Sequence, residues 1–264
     1  MLFLLAAALP SLMGSGPAPA GCVNVPAPKV DYRANVARAT SSPWVNANAS
    51  RFTRNPEAKF CIDAPGKSSA LAAAEAFAYD VAAFLRTGQD GAGPFEQMIA
   101  FLRGLPAADL PERANIGIID DGTPQTGELM NLLTRRNLLY RPVKAPDSHL
   151  DLNVSRGEEP DPGKQAYAIR RKLGDDKRLL RIYGSEVVIG RLTGDASRAR
   201  VHLLNYGGRP VSGLRVRVLG KYSKAAIHAF GIPDAKLADV AIQPDAAEFT
   251  LESLNEYAVI DLTR

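Results

Sequence analysis

Residues 114–143, ANIGIIDDGTPQTGELMNLLTRRNLLYRPV, decide the fold class of this 264-residue chain. Ile116, Ile118 and Ile119 form an apolar run without polar alternation, the pattern of a strand buried on both faces. DGTPQTG carries turn residues. ELMNLLTRRN puts Leu129, Leu132 and Leu133 on one helical face, and LLYRPVK reads as the next strand. Strand, helix, strand at this spacing predicts a parallel pair joined by a right-handed crossover.

Toward the C-terminus, 144–165 is polar and rich in Pro and Gly, and 151–165 reads as a linker. Beyond it the rhythm changes to short runs separated by turn residues. In LRVRVLG, Leu214, Val216 and Val218 alternate strictly with Arg215 and Arg217. VHLLNY runs into Gly207-Gly208, a hairpin signal. Regular short strands with Gly turns predict an antiparallel β-sandwich over 166–264.

Toward the N-terminus, FCIDAPGKSSALAAAEAFAYD (60–80) has the order of a phosphate-binding loop. A phosphate loop needs Gly, four residues, then Gly-Lys-Ser/Thr. Counting back from Gly66, the first position falls on Cys61, inside a strand. Pro65 has no N–H to offer and Asp63 repels an anion, so the reading is a strand-to-helix corner and no nucleotide site. A helix is expected from about Ser69 to Arg86, capped by Ser68 or Ser69 and stopped at Gly88. A second is expected to open at Pro94. Residues 23–58 show little periodicity and read as loop with a short strand or helix. The chain divides as 1–21, an α/β segment at 22–112, the β-α-β unit at 113–150, the linker at 151–165 and the sandwich at 166–264.

The first residues, MLFLLAAALPSLMGSGPAPAGC, are too short an apolar run to span a bilayer. They fit a secretory signal over 1–21, with Ala18-Pro19-Ala20 as the cleavage site, although no Lys or Arg follows Met1. Export from a bacterial cell is therefore expected. Cys22 in PAGC resembles the lipid-attachment box of bacterial lipoproteins, with Pro19 in place of the usual aliphatic residue. A lipid there would be the only link to a membrane. Cys61 reads as a small buried hydrophobe of its strand, with a Cys22–Cys61 disulfide as the alternative.

The charge balance, Lys+Arg 32 against Asp+Glu 28, leaves +4. Pairs such as Arg135-Arg136 and the run Arg170-Arg171-Lys172 read as solvated helix faces, not as a nucleic-acid footprint. Cys and His spacing fits no metal site, and no cofactor is implied. His149, His202 and His228 do not assemble a Ser-His-Asp triad, and no Cys after Cys61 supplies a nucleophile at a strand–helix elbow. What remains is carboxylates at carboxyl ends of strands: Asp63, Asp120 and Asp121. That edge is where α/β proteins build sites. Each has a plainer role, as a turn or cap residue. Trp44, Asn46 and Tyr206 are the candidate sugar-binding residues. Tyr183 and Tyr222 could also offer an aromatic platform or fill the core.

KFCIDAPGKSSALAAAEAFAYDVAAFL as a last barrel strand and helix, RANIGIIDDGTPQTGELMNLLTRRNLLYRPV as a middle unit and RVHLLNYGGRPVSGLRVRVLG as a β domain together resemble the back end of multidomain bacterial glycoside hydrolases. The resemblance is architectural and covers most of the chain after Trp44. It implies a barrel end, a flavodoxin-like middle unit like an amidotransferase-type trimerisation domain, hence a homo-oligomer, and a C-terminal β-sandwich. A complete barrel needs about 200 residues or more. The resemblance therefore implies a truncated or reduced relative that binds carbohydrate or assists assembly without cleaving. A small carboxylate-dependent hydrolase acting on glycans and a structural cell-envelope lipoprotein are the alternatives.

Overall fold

The computed structural model describes residues 11–12, 20–31, 43–155 and 159–264. The signal expected over 1–21 falls mostly outside them.

The N-terminal part holds β1 (Ser11–Leu12), β2 (Val23–Val25), β3 (Lys29–Asp31), β4 (Trp44–Asn46), α1 (Ala49–Arg54), β5 (Phe60–Asp63), α2 (Ser68–Ala78), β6 (Ala83–Arg86) and α3 (Gln89–Gly104). β1, β6, β5 and β2 lie side by side in that order, all parallel, while β3 and β4 pair antiparallel. The helix expected to run to Arg86 stops at Ala78. Asp80 adopts φ 51°, and Ala83–Arg86 pairs with Phe60–Asp63. Val81, Phe84 and Leu85 are buried because they approach and form a strand. An apolar run this short cannot be told from helix by spacing. The third helix starts at Gln89, so Pro94 lies inside it and Gly88 precedes it. α2 is buried almost all round, and its alanines let it pack closely on both sides.

The middle unit contains β7 (Ile116–Ile119), α4 (Pro124–Arg135), β8 (Tyr140–Val143), β9 (Leu152–Val154) and α5 (Pro162–Leu173). Its sheet runs β8–β7–β9, all parallel. Thr123 caps α4 by accepting from the Thr126 amide, and Pro124 sits at the first helical position. The segment read as a linker holds β9 and the start of α5. Ala166, Ile169 and Leu173, assigned above to the sandwich, are core residues of this unit beside Leu129, Met130 and Leu133.

The C-terminal part is β10 (Leu180–Tyr183), β11 (Val188–Gly194), β12 (Arg198–Asn205), β13 (Val211–Leu219), β14 (Lys224–Ala229), β15 (Leu237–Ile242), β16 (Ala246–Leu254) and β17 (Tyr257–Thr263). Two antiparallel sheets, β10–β13–β16–β15 and β11–β12–β17–β14, share a core. Leu214, Val216 and Val218 point into it, as their alternation requires. Gly207-Gly208 is not a hairpin. β12 and β13 lie in different sheets, so the glycines carry the chain across the sandwich.

The sheet containing β12 is covered on both faces. Leu203 and Ile260 face the other sheet, while Ile189, Leu204, Tyr257 and Val259 join the core around α2 and α3. Asn137, in the left-handed conformation at φ 52°, accepts from the Gly190 amide at 2.7 Å and donates to the Val188 carbonyl at 3.1 Å. It pins the middle unit to β11. The architecture is thus an α/β part with parallel sheets followed by an antiparallel β part.

Candidate functional site

The carboxyl edge of the parallel strands carries the predicted aspartates. Asp63 ends β5 and Arg86 ends β6, directly opposite in register. The Arg86 guanidinium donates to both carboxylate oxygens, Nε to Oδ1 at 2.5 Å and Nη2 to Oδ2 at 2.7 Å. Asp63 remains open to solvent, its side chain 67% exposed.

Behind it, the two loops that leave β5 and β6 press together. A Cβ on Gly91 would meet Thr87 Oγ1 at 1.8 Å and the Gly66 backbone at 3.1 Å. Ser69 Oγ bridges them, its one hydroxyl proton shared between the carbonyls of Gly66 (2.8 Å) and Gly91 (2.7 Å). The Ser68 and Ser69 side chains thus donate to carbonyls and do not cap α2 as predicted. The Asp90 carboxylate lies 3.2 Å from where a Gly66 Cβ would stand. A phosphate at this turn would meet that negative charge.

Asp120 follows β7 and belongs to another constellation. Arg54 of α1 donates to it twice, at 2.7 Å and 2.5 Å, and the Gly122 amide once at 2.9 Å. Hydrogen bonding to Arg54 holds the Asp120 carboxyl below the usual carboxylate range. Asp121 accepts from the Thr123 amide and hydroxyl and from the Thr126 hydroxyl, at 3.0, 2.7 and 2.7 Å. It organises the turn into α4. Asp63 and Asp120 therefore sit on separate sheets, each engaged two-pronged by its own arginine.

The other candidates are also placed. Trp44 is half-buried, with the Arg135 guanidinium 3.7 Å from its ring centroid. The Asn46 amide donates to Asp31 across the β3–β4 pair. Tyr206 is buried at 2% exposure and offers no ring face to a sugar. Its hydroxyl donates to Glu75 Oε1 at 2.7 Å. Tyr222 is buried too, and Tyr183 is exposed.

Cys22 and Cys61 form a disulfide with Cα atoms 5.7 Å apart. The pairing of Asn24 with Cys61 on β2 and β5 brings them together. A lipidated Cys22 and this bridge exclude one another, since both use the same sulfur. Cross-linking residues 39 apart restricts the unfolded chain, so Cys61→Ser should cost about 4 kcal/mol. Urea unfolding of oxidised wild type against the variant measures this, and reducing agent should lower only the wild type.

Glu75 was not anticipated. It is fully buried in α2 and accepts from the Asn48 amide (2.6 Å), the Asn48 side chain (3.1 Å) and Tyr206. Burial raises its carboxyl to about 7, against the lowering effect of those donors. The available signal was a lone acid in LAAAEAFA, a helix with no polar face.

A small open cleft lies where the three parts meet, lined by Tyr79, Glu112, Tyr140 and Arg191 among others, with none of the three aspartates. Arg191 occupies its wall, 4.8 Å from the Tyr79 ring centroid and 3.5 Å from Glu112. Among the described residues, no three His, Cys, Asp or Glu gather as metal ligands, and no helix is long and apolar enough to cross a membrane.

No family model and no curated protein matches the chain. Among solved structures it is similar to alpha-L-fucosidase isoenzyme 2 from Paenibacillus thiaminolyticus, with a TM-score of 0.59 and 8% identity, covering 81% of this chain and 62% of that one. Two others are a cycloisomaltooligosaccharide glucanotransferase from Paenibacillus sp. (TM-score 0.27, 11% identity, 55% and 27% covered) and the maltogenic alpha-amylase AmyB from Thermotoga neapolitana (0.22, 12%, 81% and 56%). Scores that low carry no structural argument. The chain spans 62% of the fucosidase structure's length, and at 8% identity the likeness is one of fold alone.

Proposed function

We propose that the chain is an exported relative of glycoside hydrolases with a carbohydrate-binding or assembly role and no cleavage of its own. The observation that carries this reading is the state of the edge carboxylates. Glycoside hydrolysis commonly needs two carboxyl groups facing one bond from opposite sides. Asp63 and Asp120 instead belong to different sheets, each closed by a bidentate arginine. The fold likeness to a fucosidase supports the relationship, and the Cys22–Cys61 bridge supports passage through an oxidising compartment. The β8–β7–β9 order supports reading the middle unit as flavodoxin-like, with assembly into a homo-oligomer as its role.

The full chain is incubated with 4-nitrophenyl α-L-fucoside, α-glucoside and β-galactoside, and titrated with oligosaccharides by calorimetry. Saturable binding without release of nitrophenol is the expected result. The exposure of Asp63 favours the hydrolase as second reading. Turnover that Asp63→Asn abolishes would establish it in place of the first.

A further inference from the structure

The outer face of the sheet formed by β10, β13 and β16 is crowded with arginine. Arg181 on β10 stands directly opposite Arg217 on β13, and Tyr183 opposite Arg215. Like charges in that register repel. Arg217 reaches Glu248 at 3.4 Å and Asp245 at 3.5 Å, and Arg215 shares Glu248 at 3.0 Å. Asp175 is divided between Arg181 (3.3 Å) and Arg178 (3.6 Å). Arg178 leans on the middle unit by donating to the Arg136 carbonyl at 2.9 Å. Four guanidinium groups in a row thus share three carboxylates.

Their hydrogen-bond inventory is also incomplete. Arg178 Nε, Arg181 Nε and Arg217 Nη1 have no acceptor and are closed off from solvent, so their charge goes uncompensated from within, while the ends a ligand can reach are those of Arg215 and Arg181, 36% and 23% exposed. The side chains of Arg178 and Arg217 are only 10% and 12% exposed, so water screens them poorly. Burial and the charge of Arg170 lower the pKa of Arg178 and of Arg136, which places two further cations beside the row. Tyr183 is open to solvent and stacks with Arg181 at 4.8 Å. Guanidinium forks in want of oxyanions, next to an exposed aromatic ring, describe a receptor for a ring that carries anions. A duplex footprint instead needs a longer run of phosphate contacts, about 6–10.

We infer that this face binds an acidic saccharide, whose sulfate or carboxylate groups accept from the solvent-facing ends of Arg181 and Arg215 while a sugar ring lies against Tyr183. The inference rests on the carbohydrate-binding reading above and names its ligand class and place.

The test uses the full chain and calorimetry with a heparin-derived octasaccharide, an oligogalacturonate, maltooctaose and single-stranded DNA. The two acidic probes separate sulfate from carboxylate. One of them is expected to bind, about tenfold more weakly to Arg181→Gln/Arg215→Gln and to Tyr183→Ala. The charge-matched pair Arg103→Gln/Lys224→Gln, on other surfaces, should bind as wild type. Near-UV circular dichroism checks folding, and Tyr183→Ala carries the test if the double variant does not fold. Equal weakening in the control pair, no weakening in either face variant, or DNA binding as tightly overturns the inference. Binding of maltooctaose alone sinks this face but keeps the carbohydrate reading. If no saccharide binds, both fall.

Discussion

Glu75→Ala should lower the unfolding free energy by about 4 kcal/mol at pH 5 and by only about 1 kcal/mol at pH 8. The first figure comes from the partners left behind. The Asn48 amide, the Asn48 side chain and the Tyr206 hydroxyl all point at this carboxyl, and all are buried. An unsatisfied buried donor costs about 1–3 kcal/mol, and alanine strands three. The second figure comes from linkage. Burial raises the Glu75 pKa from its ordinary 4.5 to about 7, so the folded chain holds a proton that the unfolded chain releases. Stability tied to this proton is full below pH 4.5 and is lost as pH rises through 7, about 3 kcal/mol in all. The wild type loses it and the alanine variant has nothing to lose, so the gap between them narrows. His202 runs the other way. Burial holds it neutral, and its share of stability disappears as pH falls below its ordinary 6.5. Only the difference between the two proteins, from urea titrations at both pH values, isolates Glu75. A gap that stays constant or widens toward pH 8 would refute the assignment.

The residues that could be read in advance are those whose role is local. Ile116–Ile119 announces a doubly covered strand from its nearest neighbours, whereas Thr123-Pro124, equally local, lies in the stretch read as a turn and opens α4 ahead of the expected Glu128. The alternation of Leu214 to Val218 fixes which arginines face out without knowledge of any other strand. α5 was equally legible and was lost to composition. Asp161 caps it by accepting from the amides of Gly163 and Lys164, Pro162 opens it and Gly174 ends it at φ 76°. By number those Pro and Gly residues have the composition of a linker, while by position they are the start and stop signals of a helix. β6 was lost for another reason. Its apolar residues continue the helical spacing of α2, and only the turn at Asp80 separates the two. The place of Asp63 and Asp120 at strand ends was legible, but their partners were not. Asp63 gains Arg86 through strand register, and Asp120 gains Arg54 across 66 positions. Pairing at that range is settled by the tertiary fold, and it decides whether a carboxylate is available for chemistry.

Asp261→Ala should cost about 4 kcal/mol, and pairing it with Arg200→Met should recover most of that loss. Arg200 on β12 and Asp261 on β17 are directly opposite in register. The guanidinium donates to both carboxylate oxygens, at 2.6 Å and 2.7 Å, and to the Pro106 carbonyl at 2.8 Å. Its side chain is only 4% exposed. Removing Asp261 alone leaves a cation in a nearly dry site with one carbonyl for company, the situation in which a broken ion pair costs about 3–5 kcal/mol. Removing both charges and filling the space with methionine abolishes the desolvation burden along with the attraction, so the double variant should lie within about 1 kcal/mol of wild type. The Pro106 contact adds a second consequence. It fastens the end of α3 to the sandwich, so Arg200→Met should loosen that end even where global stability returns. Amide exchange at Leu105 and Ala107 should rise in the double variant while β12 and β17 stay protected. If the double variant is as unstable as Asp261→Ala, the pair holds the sandwich by attraction and not merely by mutual neutralisation. If exchange near Pro106 is unchanged, Arg200 is not what joins the α/β part to the sheet.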